Sequence, residues 1–520
     1  MNEKVIVTNL AALRAKYGSG LAKIEAALGR LIAADKARGL TTQVIDVSSA
    51  AAMKKVKGTA VAKAANPRQN KAAVDAIYRA LLPDYVMLLG AIDVIPHQDM
   101  KNPVFDPANG DPDEFAYGDL PYACEAAYSE DARKFIGPTR VVGRLPDLTG
   151  SNDPAYLVRL LDTAAKYQPR KRAEYGAYLG ISAKDWMKST ALSLEKLFGN
   201  NKDLQTSPAK GPRWTAAQLG RRAHFINCHG AASTPQFFGQ EAGAHPVAHS
   251  ADLLPGKISE GTIAAVECCY GGELYDAAEA GTLPGICSAY LDGGAYGYLG
   301  STTVSYGPPE SNGAADLICR YFLGLALSGA SLGRAALEAR QRFAQASAQI
   351  DPYDLKTLAQ FNLLGDPAIH PVVVPSTSVS VVAPKAAAGE SLLGRAVNRL
   401  DRRRALISKG LQIEASQWVA RRMEAPKAGG ALATSLRKLA ATTGIAPANI
   451  LSFELTGAAR MKPALHSKAL SALTDLGAPQ AFHVIAQREE RASERGPHIT
   501  GIVAKEVAGK IVSYRELRSR

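Results

Sequence analysis

The chain has 520 residues, 47% of them hydrophobic and 21% charged, with a formal net charge of +13. That composition fits a folded protein of roughly three domains at about 150 residues each, and it excludes a disordered or fibrous chain. Six cysteines in 520 residues exclude a disulfide scaffold.

The opening segment MNEKVIVTNLAALRAKYG is interrupted by Asn9, Arg14 and Lys16, unlike the apolar core of a signal peptide. No apolar run reaches the roughly 18 residues that a membrane helix needs. These features predict a cytoplasmic protein with reduced thiols and no membrane span. The charge is uneven: residues 375–520 hold 23 Lys/Arg against 11 Asp/Glu, and the preceding body is close to neutral.

In chain order, VIVT (5–8) and TTQVIDV (41–47) read as short strands. The segment 20–37 carries Leu21, Ile24, Leu28 and Leu31 at helical spacing. DAIYRALLP is a predicted helix ending at its proline, and YVMLLG (85–90) is a continuous apolar run, as in a strand covered on both faces. Residues 91–139, rich in Asp, Pro and Gly, read as a long irregular insertion of the kind that often carries function. RVVGRLP (140–146) restores regular structure, and 151–167 begins with cap-type residues and continues as a helix.

The alternation then repeats. EYGAYLGIS (174–182), AHFINC (223–228), TIAAVECC (262–269) and AYGYLGS (295–301) are predicted strands, and DWMKSTALSLEKLFG (185–199) is a predicted helix. ADLICRYFLGLALSG places Leu317, Ile318, Tyr321, Phe322 and Leu325 on one helix face; a further helix covers about 331–348, and FNLLGDPAIHPVVV closes the unit. Strands alternating with helices predict a mostly parallel sheet. PSTSVSVVAPKAAAG (375–389) reads as a linker. Beyond it come helical segments (SLLGRAVNRLDRRRALISKGL, ALATSLRKLAATTG, KALSALTDLG) and a closing sheet in AFHVIAQ and HITGIVAKEVAGKIVSYRE. The predicted units are an N-terminal α/β subdomain (1–150), a second subdomain (151–374), the linker, and a basic α+β module (390–520).

In open parallel sheets, reactive groups collect beyond the carboxyl ends of the strands. HFINCHG and VECCYGG end two predicted strands in His229-Gly230 and Cys269-Tyr270-Gly271. On neighbouring strands, the imidazole and the thiol face one cleft. There the imidazole lowers the thiol pKa and carries its proton to the leaving group. Glycine lets the backbone approach a substrate closely, so the amides of Gly230 and Cys269 would hold a developing oxyanion. On the pattern alone three readings stay open: a catalytic pair, buried structural residues, and a zinc site drawn from Cys228, His229, Cys268 and Cys269. Adjacent strand residues point to opposite faces and no CxxC exists, which weakens the zinc reading.

NCHG followed by ECCYGG resembles the His-Gly and Cys-Gly pair of caspase-fold (clan CD) cysteine peptidases, and within them the gingipain (C25) family. The resemblance extends over most of residues 1–373. YVMLLGAIDVIP is similar to that family's strand and Asp-X-X-Pro loop, and DEFAYGDL to its acidic-aromatic segment. VVGRLP is similar to its Gly-Arg-hydrophobic-Pro strand, and FNLLGDPAI to its closing Asn-Leu-X-Gly-Asp-Pro. The resemblance implies a caspase-like α/β/α sandwich in two subdomains, here followed by the basic α+β module. It implies cleavage of protein or peptide substrates through an acyl-thioester, without cofactor or metal. The chain departs from that secreted family in its opening segment, which does not read as an export signal, and in its basic C-terminal module, so an intracellular processing or signalling role is expected. It makes Cys269 the nucleophile, His229 the general acid/base, and the Gly230 and Cys269 amides the oxyanion hole, with Cys268 turned to the core. Glu114, and next to it Asp113, would supply an acid that orients the histidine or reads an Arg or Lys side chain at P1; a solvated acidic loop is the alternative. Ser301 and Tyr306 would line the substrate groove.

Basic clusters at 401–409, 419–424 and 435–440 offer a positive surface to nucleic acid or an acidic partner, or form solvated helical faces. Trp418, Phe453, Phe482 and Tyr514 are scattered, so no base-stacking platform is predicted. The competing function is a non-catalytic caspase-fold scaffold whose C-terminal domain binds a partner or nucleic acid.

Overall fold

The computed structural model describes residues 3–207, 214–241, 244–373, 392–446, 449–457, 480–489, 496 and 498–520. The predicted linker 375–389 and the segment KALSALTDLG lie outside the described residues.

Ten strands form the central sheet: β1 (Lys4–Thr8), β2 (Thr42–Asp46), β3 (Tyr85–Leu89), β4 (Val142–Leu145), β5 (Tyr178–Ser182), β6 (Leu204–Thr206), β7 (Ala223–Asn227), β8 (Ile263–Val266), β9 (Gly297–Ser301) and β10 (Phe361–Leu364). Their order is β2-β1-β3-β4-β10-β9-β8-β7-β5-β6. All neighbours are parallel except β9 and β10. The strand FNLL, last in sequence, therefore joins the first half of the sheet and forms its one antiparallel seam. The apolar runs have their expected cause. Val5, Ile6 and Val7 are wholly buried because helices cover the sheet on both faces. Helix Leu21–Ala37 packs on Ala155–Lys166, and Ala314–Leu327 packs on Leu332–Ala344 and Met187–Phe198. The helix Pro67–Leu81 stops where DAIYRALLP predicts, with Leu82 in a left-handed cap at φ 48° and Pro83 behind it. The mostly parallel α/β architecture is as the sequence predicts.

The segment 91–139 is more ordered than an irregular insertion. Gln98–Lys101 and Phe115–Gly118 pair as an antiparallel hairpin, which leads to a buried ion pair. Arg144 on β4 grips Asp119 with two hydrogen bonds, Nε to Oδ2 at 2.9 Å and Nη2 to Oδ1 at 2.6 Å. His97 Nδ1 lies 3.0 Å from the same carboxylate. Arg144 Nη1 donates to the carbonyls of Gly90 and Ile95, at 2.8 and 2.7 Å.

The C-terminal module carries the helices Leu392–Ser416 and Ala431–Thr442, but its seven-stranded sheet is not self-contained. One edge strand is Tyr306–Gly307 and the other is Gln349–Ile350, both from the body. Part of the module's positive charge is matched by acids of the body. Arg399 meets Asp84 at 2.7 Å, Arg515 meets Asp354 at 2.9 Å, and Arg518 meets Asp185 at 3.0 Å. Among the described residues no helix is long and apolar enough to cross a membrane.

Two buried histidines set an acid limit on the fold. His224 Nε2 donates to the Arg221 carbonyl at 2.7 Å, so its Nδ1 accepts from the Tyr290 hydroxyl at 2.7 Å. His249 Nε2, 3.1 Å from the same hydroxyl, then donates to it. The His224 ring is thus a neutral donor and acceptor, while His249 Nδ1 is buried without a hydrogen-bond partner among the described residues, so a proton added to either ring would go unsatisfied. Burial pushes His224 down to about 4 and His249 down to about 3. Both folded values lie below the unfolded value of about 6.5, so their stabilisation is complete above pH 6.5 and is lost as pH falls towards 4. The urea midpoint is expected to drop between pH 7 and pH 5, at up to about 3 kcal/mol per pH unit for the two groups together. His249→Gln should roughly halve that slope.

Candidate active site

β7, β8 and β9 are adjacent and parallel, so their carboxyl ends deliver three segments side by side: Cys228-His229-Gly230, Glu267-Cys268-Cys269, and residues 302–307. Alternation along the β8 extension sends neighbouring side chains to opposite sides. Cys268 enters the main core, where its sulfur accepts from the Cys228 amide at 3.3 Å. Glu267 faces Arg520 and Asp316, and Cys269 packs outside the main core with Val304, Tyr306 and Tyr353. Tyr270, next in the chain, turns away with a left-handed backbone (φ 54°).

Cys269 is fully buried. Its sulfur accepts from the Ser305 amide at 3.2 Å and lies 3.5 Å from the Ser305 carbonyl. Burial pushes the thiol up to about 12, against the opposing pull of the Ser305 amide and the Lys356 charge. Its backbone N–H donates to the carbonyl oxygen of Arg520 at 3.2 Å.

His229 is buried and lines a cavity of about 350 Å³ together with Asp185, Trp186, His498 and Arg518. Its ring meets Trp186 edge-on, with centroids 4.6 Å apart. Gly230 lies directly against Cys269: a Cβ there would fall 1.9 Å from the Cys269 carbonyl oxygen. Gly230→Ala is therefore expected to force the two strand ends apart, at about 1–3 kcal/mol in unfolding free energy. A thermal melt, with alkylation of Cys269 as a second readout, checks this.

The imidazoles of His229, His245 and His498 converge, with ligand nitrogens all within 4.8 Å of one another. Three histidines are the ligand set of an open zinc site. Cys228 and Cys268, the other metal-ligand types anticipated, lie instead in the main core.

Arg520 occupies the centre of the site. Its Nη2 meets Asp316 at 2.7 Å, its Nη1 pairs with Glu267, and all three side chains are wholly buried. Its guanidinium carbon lies 5.4 Å from the centroid of the Trp186 ring, and its amide donates to the Ser305 carbonyl at 3.0 Å. Gly307 makes the room: a Cβ there would sit 1.6 Å from Arg520 Nη2.

The acids that face this arginine are not those picked from the sequence. Glu114 is exposed, and Asp113 is engaged by the Tyr270 hydroxyl at 2.7 Å, the Val304 amide at 2.8 Å and Lys356 at 3.2 Å. Asp113 thus braces the turn after Cys269 and the segment after β9. Tyr306 lies on the strand that pairs with Ser519, and its hydroxyl donates to Asp111 at 2.8 Å. Ser301 is buried under the site, with its hydroxyl on the Thr303 carbonyl at 2.9 Å, so it shapes the turn and does not line a groove. Signals for the missed pair were present. Glu267 is a charged residue at the end of an apolar strand, and Asp316 is the one acid in a mostly apolar helix.

Residues 257–372 match the family model of Peptidase family C25. No curated protein matches the chain. A solved structure described as that of a protease is similar at 12% identity, with a TM-score of 0.46, over 99% of this chain and 97% of that one. The separase–securin complex of Saccharomyces cerevisiae is similar at 13% identity, with a TM-score of 0.27, over 45% of this chain and 14% of that one. The assignment rests on the family match and on the residues at the strand ends. Through residues 257–372 the chain is similar to Peptidase family C25, and that match marks it as a cysteine peptidase.

Proposed function

We propose that the protein is an endopeptidase that cleaves after arginine through Cys269 and His229. The placement of Arg520 carries this reading. An arginine carbonyl rests on the Cys269 amide while its guanidinium lies between Glu267 and Asp316. Two buried carboxylates bind arginine with charge-assisted hydrogen bonds that a neutral side chain cannot replace.

The chemistry follows from that pose. Cys269 loses its proton to His229, and the thiolate attacks the carbonyl carbon of the P1 arginine. The Cys269 and Gly230 amides hold the oxyanion. The C–N bond breaks as His229 returns the proton to the leaving amine, leaving an acyl-thioester. Water, deprotonated by His229, attacks that carbonyl and releases the acid and the Cys269 thiol. Thiols free of disulfides fit a reducing compartment, which supports processing of intracellular protein substrates.

Fluorogenic peptides with Arg, Lys or Ala at P1 test the reading, assayed with the full chain and with Arg520→Ala. Arginine is expected to exceed alanine by at least about 100-fold in kcat/KM. His229→Ala should remove the activity. Equal cleavage after alanine, or cleavage that survives His229→Ala, would overturn the proposal.

A further inference from the structure

We propose that the last strand, Lys510–Ser519 with Arg520, occupies the peptidase cleft of its own chain as a substrate does, keeping the enzyme latent and displaying its preferred sequence, arginine at P1 and at P3. This rests on Cys269 being the nucleophile.

The backbone is the first argument. An extended peptide is commonly recognised by adding a strand to an open sheet edge. The last strand does this against the body: Ser519 pairs with Tyr306 and Arg518 with Gly307, antiparallel, and the Arg520 amide continues the ladder to the Ser305 carbonyl. The Arg520 carbonyl then falls on the Cys269 amide, where the scissile carbonyl of a substrate must lie.

The side chains are the second argument. Strand alternation gives Arg520 and Arg518 the same side. Arg520 enters the pocket of Glu267 and Asp316, into which only the Gly307 notch admits it. Arg518 reaches Asp185, the residue before the Trp186 wall of that pocket, at 3.0 Å. The body thus presents a buried acid pair to P1 and a half-exposed acid to P3. The P3 contribution is the smaller one, because solvent screens that pair.

The covered nucleophile is the third argument. Cys269 has no exposed surface with Arg520 in place, and its thiol is held in the protonated form. A thiol in that state neither attacks a peptide nor reacts with an alkylating agent.

The test compares the full chain with Arg520→Ala and Arg520→Lys, the latter keeping a cation for the two acids should the alanine variant fold poorly. Two rates are read: iodoacetamide alkylation of Cys269 by peptide mapping, and cleavage of arginine-directed peptides. Both are expected to rise in the order full chain, R520K, R520A, by at least about 10-fold overall. The synthetic peptide YRELRSR, residues 514–520, should slow both rates in R520A. The same peptide with alanine at P3 should be weaker by about threefold, a difference that Asp185→Asn removes. Equal alkylation and equal cleavage in all three chains would overturn the occupancy while leaving the peptidase reading intact. Faster alkylation with no peptide cut by any chain would overturn the peptidase reading and, with it, the substrate-like role of the strand.

Discussion

Cys269→Ala is expected to lower kcat/KM for an arginine-directed peptide by about three orders of magnitude or more, whereas Cys268→Ala should leave it within about threefold. The two thiols are adjacent, yet the fold separates their chemistry. Cys268 points into the main core against the Cys228 amide, and burial holds its thiol far above the usual range. Cys269 lies outside that core beside Ser305, with its amide on an incoming carbonyl. On the proposed mechanism, loss of Cys269 removes the attacking atom and leaves only the amides and the acid pocket to act on substrate. Loss of Cys268 removes one buried sulfur and costs about 1–2 kcal/mol of stability with little effect on chemistry. The comparison is cleanest in the Arg520→Ala background, where iodoacetamide mapping also reports which sulfur is exposed. Activity that survives C269A and disappears in C268A would reverse the assignment.

Arg144→Met is expected to cost about 3–5 kcal/mol in unfolding free energy, the largest stability effect predicted for this chain. The Arg144 side chain is wholly buried and forms two hydrogen bonds with Asp119. Burial alone would raise the Asp119 carboxyl, but the Arg144 charge and His97 outweigh it and hold it well below the usual carboxylate range. A depressed carboxylate stabilises the fold above its unfolded value of about 4 and loses that contribution as pH falls towards the folded value. In R144M burial acts with only His97 to oppose it, so the carboxyl rises. The variant then recovers stability on acidification where the wild type does not. Urea melts at pH 7 and pH 4.5 should show the gap between the two proteins narrowing. A gap independent of pH would mean that the loss is one of packing alone.

That ion pair also explains why the sequence was readable where it was. VVGRLP contributes Arg144, DEFAYGDL contributes Asp119, and FNLLGDPAI contributes Asn362, whose side-chain oxygen accepts from the Asp119 amide at 2.7 Å. Asp366, in the same closing motif, pairs with the buried Lys4 of β1. Motifs far apart in the chain are therefore parts of one buried polar network, and their residue types are fixed by having to satisfy one another. The strands were legible because burial on both faces demands uninterrupted apolar runs. His229 and Cys269 could be singled out because each stands at a strand end before or near glycine. The acid pocket was harder to see. Glu267 stands in plain view in VECC, but its partner Asp316 is some fifty residues on, and only tertiary folding brings the two to one arginine. The antiparallel seam at β9 and β10 was also hidden, since no local pattern states which neighbour a strand will choose.

The last strand is fastened unequally on its two sides. It shares a long ladder with His498–Val507 and only two residue pairs with Tyr306–Gly307. Departure from the body therefore unzips the short ladder first and carries the strand away still stitched to its module. The arginine behaves as a latch on a door whose hinge side is heavily sewn, and prying at that latch, by competing cations or by a stronger peptide, exposes the thiol without unravelling the panel that bears it.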